Sequence, residues 1–170
     1  LQDLNNLIRY HSNIANLYVT IGDLDQALLH TQTSIQYLET SEVDKKEIKI
    51  VKNKSSLINV YMKMGNEEKV LELMQNRINH YKNINDPITN AKNYQRMGNF
   101  YFDIEQFEES NKYYHKALNI STNLNDPSSI MDIKINIAYN LTSMKKYDKA
   151  KSILEESLSI RDSLSTDSSR

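Results

Sequence analysis

The 170-residue sequence contains no cysteine, only three glycines and only two prolines. The lack of cysteine excludes disulfide bonds and thiolate metal sites, although it does not assign a compartment. No apolar run approaches the roughly 20 residues that a helix needs to cross a bilayer. A formal net charge of -1 gives no overall attraction to nucleic acid or anionic lipid. We therefore expect neither membrane insertion nor nucleic-acid binding through this chain.

The scarcity of glycine and proline removes the residues that most often interrupt a helix. Residues that favour helices, such as Leu, Lys, Glu, Gln, Met and Ile, are frequent instead. The composition therefore predicts an all-α chain. The predicted helices cover residues 2–21, 24–39, 44–64, 67–83, 87–103, 106–123, 127–144 and 147–162. The polar residues 163–170 are predicted to form a disordered tail.

A duplicated segment indicates how these helices are organised. Residues 83–89 read NINDPIT, and residues 123–129, forty positions later, read NLNDPSS. In both copies an aspartate precedes a proline, which is typical of an N-cap followed by the first helical position. A fixed period of about 20 to 50 residues is the signature of stacked supersecondary units. The duplicated segment is therefore interpreted as the start of a repeat, with a structural role and not a catalytic one.

Apolar side chains recur with the same period. Tyr61, Tyr101 and Leu141 are spaced by forty residues, and Tyr18 precedes Tyr61 by forty-three. We call these four residues the anchors. Apolar or small residues generally stand four and three positions before each anchor and three positions after it. This spacing gives the first helix of each repeat one apolar stripe.

The sequence after the first two anchors predicts a turn. Gly22 and Gly65 supply a permissive backbone where the first helix ends. Asp23 with Gln26 matches a capping box that opens the next helix, and Asn66 has the same role. Each repeat is therefore predicted to be a hairpin of two helices.

This pattern resembles the tetratricopeptide repeat. The third repeat matches best, with a large residue and a glycine before the anchor and small, aromatic and small residues after it: Met97, Gly98, Tyr101, Ser110, Tyr114 and Ala117. The long period is similar to that of kinesin-light-chain-like arrays and bacterial peptide-pheromone receptors. The resemblance implies an α-solenoid, a right-handed superhelix of about four hairpins whose first helices line a concave groove.

The resemblance extends over nearly the whole sequence and implies a single repeat domain in residues 1–162. Leu1, Leu4 and Leu7 already have helical spacing, so we expect the chain to be part of a longer protein. We expect a cytoplasmic location. The predicted repeats cover about 7–41, 44–84, 87–124 and 127–162.

Polar residues recur on the face that should line the groove. Asparagine stands two positions before the anchor in three repeats and tyrosine does so in the fourth: Asn16, Asn59, Asn99 and Tyr139. An asparagine amide both donates and accepts hydrogen bonds, so such a row could hold an extended peptide by its backbone. The candidate groove residues are these four and neighbours on the same face: Asn13, Lys52, Met62, Lys92, Gln95, Arg96, Phe102 and Asn136.

Two uses known in the family match different parts of this set. In chaperone-binding tetratricopeptide domains, a carboxylate clamp grips a peptide C-terminus, and Asn16, Lys92 and Arg96 match it. Lys92 and Arg96 lie one turn apart and could form a fork for a carboxylate. In bacterial pheromone receptors, groove asparagines hold a short signalling peptide, a role that suits Asn16, Asn59 and Asn99.

Signals for catalysis are scarce. The sequence has no G-x-S-x-G, no glycine-rich phosphate loop and no H-E-x-x-H, and its four histidines lack ligand spacing. We expect no enzyme activity, no cofactor and no metal site.

The leading hypothesis is a module that binds a peptide or protein and serves as the sensor or regulatory part of a larger bacterial signalling or transcription-regulating protein. The alternative is a passive scaffold or an oligomerisation segment. The last helix carries Ile153, Leu154, Leu158 and Ile160, an apolar surface through which the chain could form a homo-oligomer.

Overall fold

The computed structural model describes the backbone of residues 2–40 and 46–167. Over these residues the chain is all-helical, as predicted, with eight helices and no strand. The helices are α1 (Gln2–Ile21), α2 (Leu24–Thr40), α3 (Lys46–Lys63), α4 (Glu67–Asn83), α5 (Pro87–Asp103), α6 (Phe107–Asn123), α7 (Pro127–Ser143) and α8 (Tyr147–Asp167). The predicted bounds agree within one residue, except at the start of α3 and the end of α8. The predicted start of the third helix, residue 44, lies outside the described residues.

The predicted end of the last helix, at residue 162, is wrong. The backbone of α8 continues to Asp167, so residues 163–167 are helical and do not form the predicted disordered tail. The sequence contains no glycine or proline after Pro127, so no helix-breaking residue interrupts α8. Residues 168–170 lie outside the described residues.

Two aspartates cap helices, which confirms the N-caps predicted in the duplicated segment. The carboxylate of Asp86 accepts a hydrogen bond from the backbone N–H of Thr89 at 3.0 Å. The carboxylate of Asp126 accepts bonds from the Ser129 hydroxyl at 2.6 Å and the Ser129 N–H at 3.1 Å. Each aspartate is followed by a proline in the first turn. These bonds stabilise the charged carboxylates, so they lower the pKa of Asp86 and of Asp126.

The turn inside each hairpin has one residue in the left-handed region. Gly22 and Gly65 occupy this position with φ of 84° and 69°, as their predicted role requires. Glu105 and Lys145 occupy the equivalent position in the other two hairpins with φ of 60° and 59°. A side chain at positive φ crowds the backbone, so glutamate and lysine are strained where glycine is not.

The contacts between helices divide the chain into two compact units, Leu1–Arg77 and Ile78–Arg170. In the first unit α1 packs on α2, and α2 packs on α3. In the second unit α5 packs on α6, α6 on α7 and α7 on α8. Each of these helices packs mainly on its neighbour in sequence, as in successive helix hairpins.

The two units fill the space between helices with different side chains. The core of the second unit joins α6, α7 and α8 through Tyr114, Ala117, Ile133, Ile137, Ala138, Leu141 and Ala150. Gly98 allows the ring of Tyr114 to lie against α5, because a Cβ at this position would stand 2.5 Å from Cδ1 of the ring. The first unit buries Ile8 and Leu38 against Leu4, Tyr37 and Ile50.

Within the part of the chain that the structure describes, no helix is long and apolar enough to span a bilayer.

Candidate functional site

The second unit contains an open cleft of about 340 Å³ between its helices. It is lined by Asn99, Phe102 and Asp103 of α5, Tyr114 of α6, and Asn136 and Tyr139 of α7. Four of these residues are predicted groove residues: Asn99, Phe102, Asn136 and Tyr139. The fold therefore brings these four together around one opening.

A hydrogen bond orients the amide of Asn99. The hydroxyl of Tyr114 donates to Oδ1 of Asn99 at 2.8 Å. The Tyr114 side chain is only 3% exposed, so its ring is held by the surrounding packing. Because Oδ1 is engaged, the Nδ2 group of the exposed Asn99 is the part of the amide left to donate to a ligand.

Asp103 is the charged residue of this cleft, and the predicted groove residues do not include it. It is exposed and is the last residue of α5, where the helix dipole disfavours a carboxylate. No ion pair formed by the described residues includes Asp103. Burial of the Tyr114 ring raises the pKa of its hydroxyl, and the nearby charge of Asp103 raises it further.

The sequence did contain signals for both missed residues. Asp103 stands four positions after Asn99 and therefore lies on the same face of α5. Tyr114 is one of the tetratricopeptide pattern residues, which the sequence identifies as a packing aromatic. Its second role becomes visible only when α6 is placed against α5.

Three predicted groove residues of α5 lie outside the cleft. Lys92 and Arg96 are exposed and Gln95 is half-buried. Besides the hydrogen bonds at the helix caps, the charge of Lys92 contributes to the lowered pKa of Asp86 and of Asp126. The carboxylate-binding fork that Lys92 would form with Arg96 stays a prediction.

The first unit contains a separate cleft of about 390 Å³ between α1 and α3. Its lining includes two predicted groove residues, Asn13 and Asn16. Asn59 and Met62 are exposed on α3 but do not line this cleft, and the side chain of Lys52 lies outside the described residues. The remaining lining residues are Asn5, Asn6, Ile8, Arg9, Ser12, Asn53 and Ser56.

A polar network forms the floor of this cleft and joins three helices. The Ser12 hydroxyl lies 2.9 Å from the carbonyl oxygen of Ile8, 2.9 Å from the Ser34 hydroxyl and 3.0 Å from Oδ1 of Asn53. Ser34 is fully buried and Asn53 is nearly so. These side chains hold α1, α2 and α3 together, and the predicted groove residues include none of them.

The described residues contain no group of three or more His, Cys, Asp or Glu side chains that could hold a metal ion. The expectation of a non-catalytic module without a cofactor stays a prediction.

Comparison with known proteins identifies the repeats. Residues 88–163 match the family model described as tetratricopeptide repeat. The match covers less than half of the chain and identifies tetratricopeptide repeats in residues 88–163. No curated protein matches its sequence. Tetratricopeptide repeats generally mediate protein–protein interactions.

Solved structures with tetratricopeptide-like repeats share the fold. TPR-like repeats from Podosopora anserina named for a kinesin light chain have a TM-score of 0.69 and 12% identity, over 92% of this chain and 75% of theirs. Aspartyl phosphate phosphatase F from Bacillus subtilis has a TM-score of 0.73 and 12% identity, over 93% of this chain and 41% of its own.

A third similar structure is the STAND protein PH0952 from Pyrococcus horikoshii, which has a tetratricopeptide repeat sensor. Its TM-score is 0.75 at 18% identity, over 91% of this chain and 24% of its own. This chain thus spans less than half the length of the phosphatase and of PH0952. All three identities are below 25%, so the likeness shows the fold alone.

Proposed function

We propose that this chain binds an extended peptide segment of a partner protein in the clefts of its first helices. The observation that carries the proposal is the convergence of Asn99, Phe102, Asn136 and Tyr139 on one opening of about 340 Å³. These side chains combine amides with aromatic rings, which is the chemistry that peptide recognition uses.

Each of these side chains has a defined part in the proposed complex. Asn99, whose oxygen is held by Tyr114, donates from Nδ2 to a peptide carbonyl. Asn136 offers both donor and acceptor to the backbone of the peptide. Phe102 and Tyr139 provide apolar surface for one side chain of the peptide. Asp103 favours a basic group, because a cation beside it offsets the unfavourable end of the α5 dipole.

The cleft of the first unit has the opposite charge preference. Its charged residue is Arg9, which lies beside Asn13 and Asn16. A guanidinium binds a carboxylate with two parallel hydrogen bonds. We therefore propose that this cleft selects an acidic or C-terminal group, while the cleft of the second unit selects a basic one.

We further propose that peptide binding serves a sensor or regulatory role in a larger signalling protein. The tetratricopeptide sensor named for PH0952 supports this role by likeness of fold. A peptide that contacts α5 and α7 together would change how these helices pack, and such a change is one means of signalling.

The test begins with selection of peptides from a random library on the wild-type chain. A selected peptide is then labelled, and its Kd is measured by fluorescence polarisation for Asn99→Ala and Asn136→Ala. Loss of one hydrogen bond of about 1 kcal/mol should weaken binding about fivefold in each variant. The matched control is Asn119→Ala, which removes the same group from an exposed position of α6.

The control variant should bind with the wild-type Kd. Unchanged affinity in the Asn99→Ala, Asn136→Ala double variant would exclude this cleft as the peptide site. Failure to select any peptide from a diverse library would count against peptide binding itself.

The alternative function, assembly of copies into a scaffold, is favoured by a different observation. Large apolar side chains of α8 are exposed, among them Leu154 and Leu158. An exposed apolar patch on a repeat protein is a candidate interface.

A further inference from the structure

Two histidines of the first hairpin, α1 and α2, lie in direct contact. Nδ1 of His11 in α1 lies 2.8 Å from Nδ1 of His30 in α2, and the ring centroids are 5.0 Å apart. The two residues are nineteen positions apart in the sequence. Spacing along the chain, on which the prediction of no metal site was based, therefore gave no sign of this pair, because the packing of the two helices creates it.

Tyrosines support both imidazole rings. The ring of Tyr18 stacks on His30, with the centroids 5.4 Å apart and 20° between the planes. Tyr10 and Tyr37 contact the ring of His11, with their centroids 5.4 Å and 5.6 Å away. Both histidines are half-buried. Their rings are therefore held by aromatic neighbours and can still be reached from solvent.

The third hairpin, α5 and α6, builds the same group of stacked rings from tyrosines. The repeat period relates His11 to Tyr94 and His30 to Tyr113. The ring of Tyr113 stacks on Tyr101 with the centroids 5.3 Å apart, and it contacts Tyr94 with the centroids 6.2 Å apart. Tyrosine therefore satisfies the packing at these two positions, and packing alone does not require histidine.

The tyrosines of the third hairpin also show that these positions stay accessible inside an array. The third hairpin has another hairpin on either side of it in the sequence, yet Tyr94 and Tyr113 are only half-buried. A further repeat placed before α1 would therefore leave the histidine pair accessible as well.

The distance between the two Nδ1 atoms suits neighbouring ligands of one metal ion. Bonds from a metal ion to imidazole are about 2.0 to 2.1 Å long, so two nitrogens bound at a right angle are about 2.8 to 3.0 Å apart. Two nitrogens of a tetrahedral site are about 3.3 to 3.4 Å apart. The observed 2.8 Å matches the right-angled arrangement. Square-planar and tetragonal nitrogen sites are typical of copper(II) and nickel(II).

The histidine pair can adopt the form that binds metals, in which the ligand nitrogen is unprotonated. Burial lowers the pKa of His11, and the charge of His30 lowers it further, so His11 is neutral at physiological pH. In the neutral pair one Nδ1 donates its proton to the other. When an ion binds both atoms, this proton moves to Nε2 of the same ring, and no net proton is released.

We propose that His11 and His30 bind one divalent transition-metal ion, copper(II) or nickel(II), through their Nδ1 atoms. The torsion about the Cβ–Cγ bond of histidine is broad, so a rotation of each ring turns the two lone pairs from each other towards one ion. Water fills the remaining positions of the ion, and two protein ligands give an affinity in the micromolar range. The bound ion links α1 to α2 and thereby stabilises the first hairpin.

Isothermal titration calorimetry with copper(II) chloride measures this binding. The wild-type chain, without an affinity tag, should bind one copper(II) ion with a Kd of about 1 to 100 μM at about pH 7.5, above the ordinary histidine pKa of about 6.5. Nickel(II) should bind more weakly than copper(II), and magnesium, which prefers oxygen ligands, should not bind. The electron paramagnetic resonance spectrum of the bound copper(II) should show coupling to two imidazole nitrogens.

The third hairpin supplies a matched variant. The double variant His11→Tyr, His30→Tyr reproduces its stacked tyrosines, so it should fold like the wild type and bind copper(II) about tenfold or more weakly. His30→Gln removes one ligand and should weaken binding about tenfold. The control His115→Gln removes an exposed histidine of α6 and should bind like the wild type. Circular dichroism checks that each variant is folded, and His30→Gln decides if the double variant is not.

Three results would overturn the proposal. Equal copper(II) affinity in the wild type and in a folded double variant would place the ion on other groups. A loss of affinity in His115→Gln as large as in the double variant would do the same. Absence of copper(II) and nickel(II) binding up to about 1 mM would show that the two imidazoles share a proton and hold no metal ion.

Discussion

The two units are built from the same repeated hairpin, yet their clefts carry opposite charges and their helices are spaced by different residues. The first cleft is lined by Arg9 and the second by Asp103. Three positions before the anchor, the first unit has the buried Ala15. The second unit has Gly98 at this position, against the ring of the large Tyr114. The period thus preserves the backbone arrangement, while single substitutions at equivalent positions change the chemistry of each unit.

The largest effect on stability is expected from Gly98→Ala. This change gives the second unit the alanine that the first unit has at the equivalent position, Ala15. Helix propensity alone would make this change stabilising by about 1 kcal/mol. We expect the opposite, a loss of about 2 kcal/mol, because the new Cβ would overlap the buried ring of Tyr114. Thermal unfolding followed by circular dichroism measures the change.

A second substitution sharpens this prediction. Tyr114→Leu in the Gly98→Ala background reproduces the pair Ala138 and Leu154 found in the fourth repeat. It should recover part of the lost stability but not the peptide affinity, because the hydrogen bond to Asn99 is gone. A single Gly98→Ala variant that is more stable than the wild type would show that α5 and α6 adjust without strain.

The next effect concerns the charges of the two clefts. Asp103→Asn should weaken a peptide whose arginine lies in the second cleft by about fivefold, close to 1 kcal/mol for a partly exposed charge pair. The same peptide with citrulline in place of arginine should bind both proteins equally. Fluorescence polarisation measures both peptides, and Glu108→Gln on α6 is the control for loss of one exposed negative charge. Equal weakening of both peptides would show that Asp103 does not recognise the positive charge of the peptide.

Acid should affect the two units in different pH ranges. In the first unit, Nδ1 of His11 lies 2.8 Å from Nδ1 of His30. Burial lowers the pKa of His11, and the charge of His30 lowers it further. The fold therefore favours neutral His11, so this stability is complete above the unfolded pKa of about 6.5 and is lost as pH falls through the lower folded pKa.

In the second unit the capping carboxylates have lowered pKa values, so their contribution is present above about pH 4 and is lost only below it. Amide hydrogen exchange between pH 7 and 5 should show loss of protection around Ala15 and Ala27, and little change around Ala117. His11→Phe should remove this pH dependence, whereas His115→Gln, at an exposed position of α6, should retain it. The same pH dependence in His11→Phe would assign it to other groups.

The smallest effect is expected in the turns within the hairpins. Glu105→Gly and Lys145→Gly should each raise stability by about 0.5 to 1 kcal/mol, because glycine relieves the strain of positive φ. Gly22→Ala and Gly65→Ala should lower it by a similar amount. Unfolding temperatures of the four variants measure the changes, and destabilisation by both new glycines would show that the strain is negligible.

Helix positions followed from local signals. The caps at Asp86 and Asp126 and the turns at Gly22 and Gly65 depend on neighbours within a few residues, which the sequence displays directly. The same local reasoning failed at the end of α8, where polar composition suggested disorder but no residue interrupts the helix. Polarity lowers the benefit of packing without removing the backbone hydrogen bonds of a helix.

The candidate sites were only partly predictable. Periodicity placed Asn99 and Asn136 on equivalent faces of successive first helices, and the structure brings both to one cleft. Their role in peptide binding stays a prediction. It included Asn59 and Met62, which lie outside the first cleft, and it omitted Asp103. Whether a residue lines a cleft depends on the depth and angle at which two helices pack, and spacing along one helix does not contain this information.

The sequence by itself determined the all-helical class, the repeat period and the caps, because backbone hydrogen bonding and one apolar stripe per helix are local properties. Only the tertiary structure decided which equivalent positions are covered. Tyr10 and Ile133 occupy the same place in their repeats, yet one is exposed and the other is buried. Burial is a property of what packs against a residue, and spacing along one helix does not contain this information.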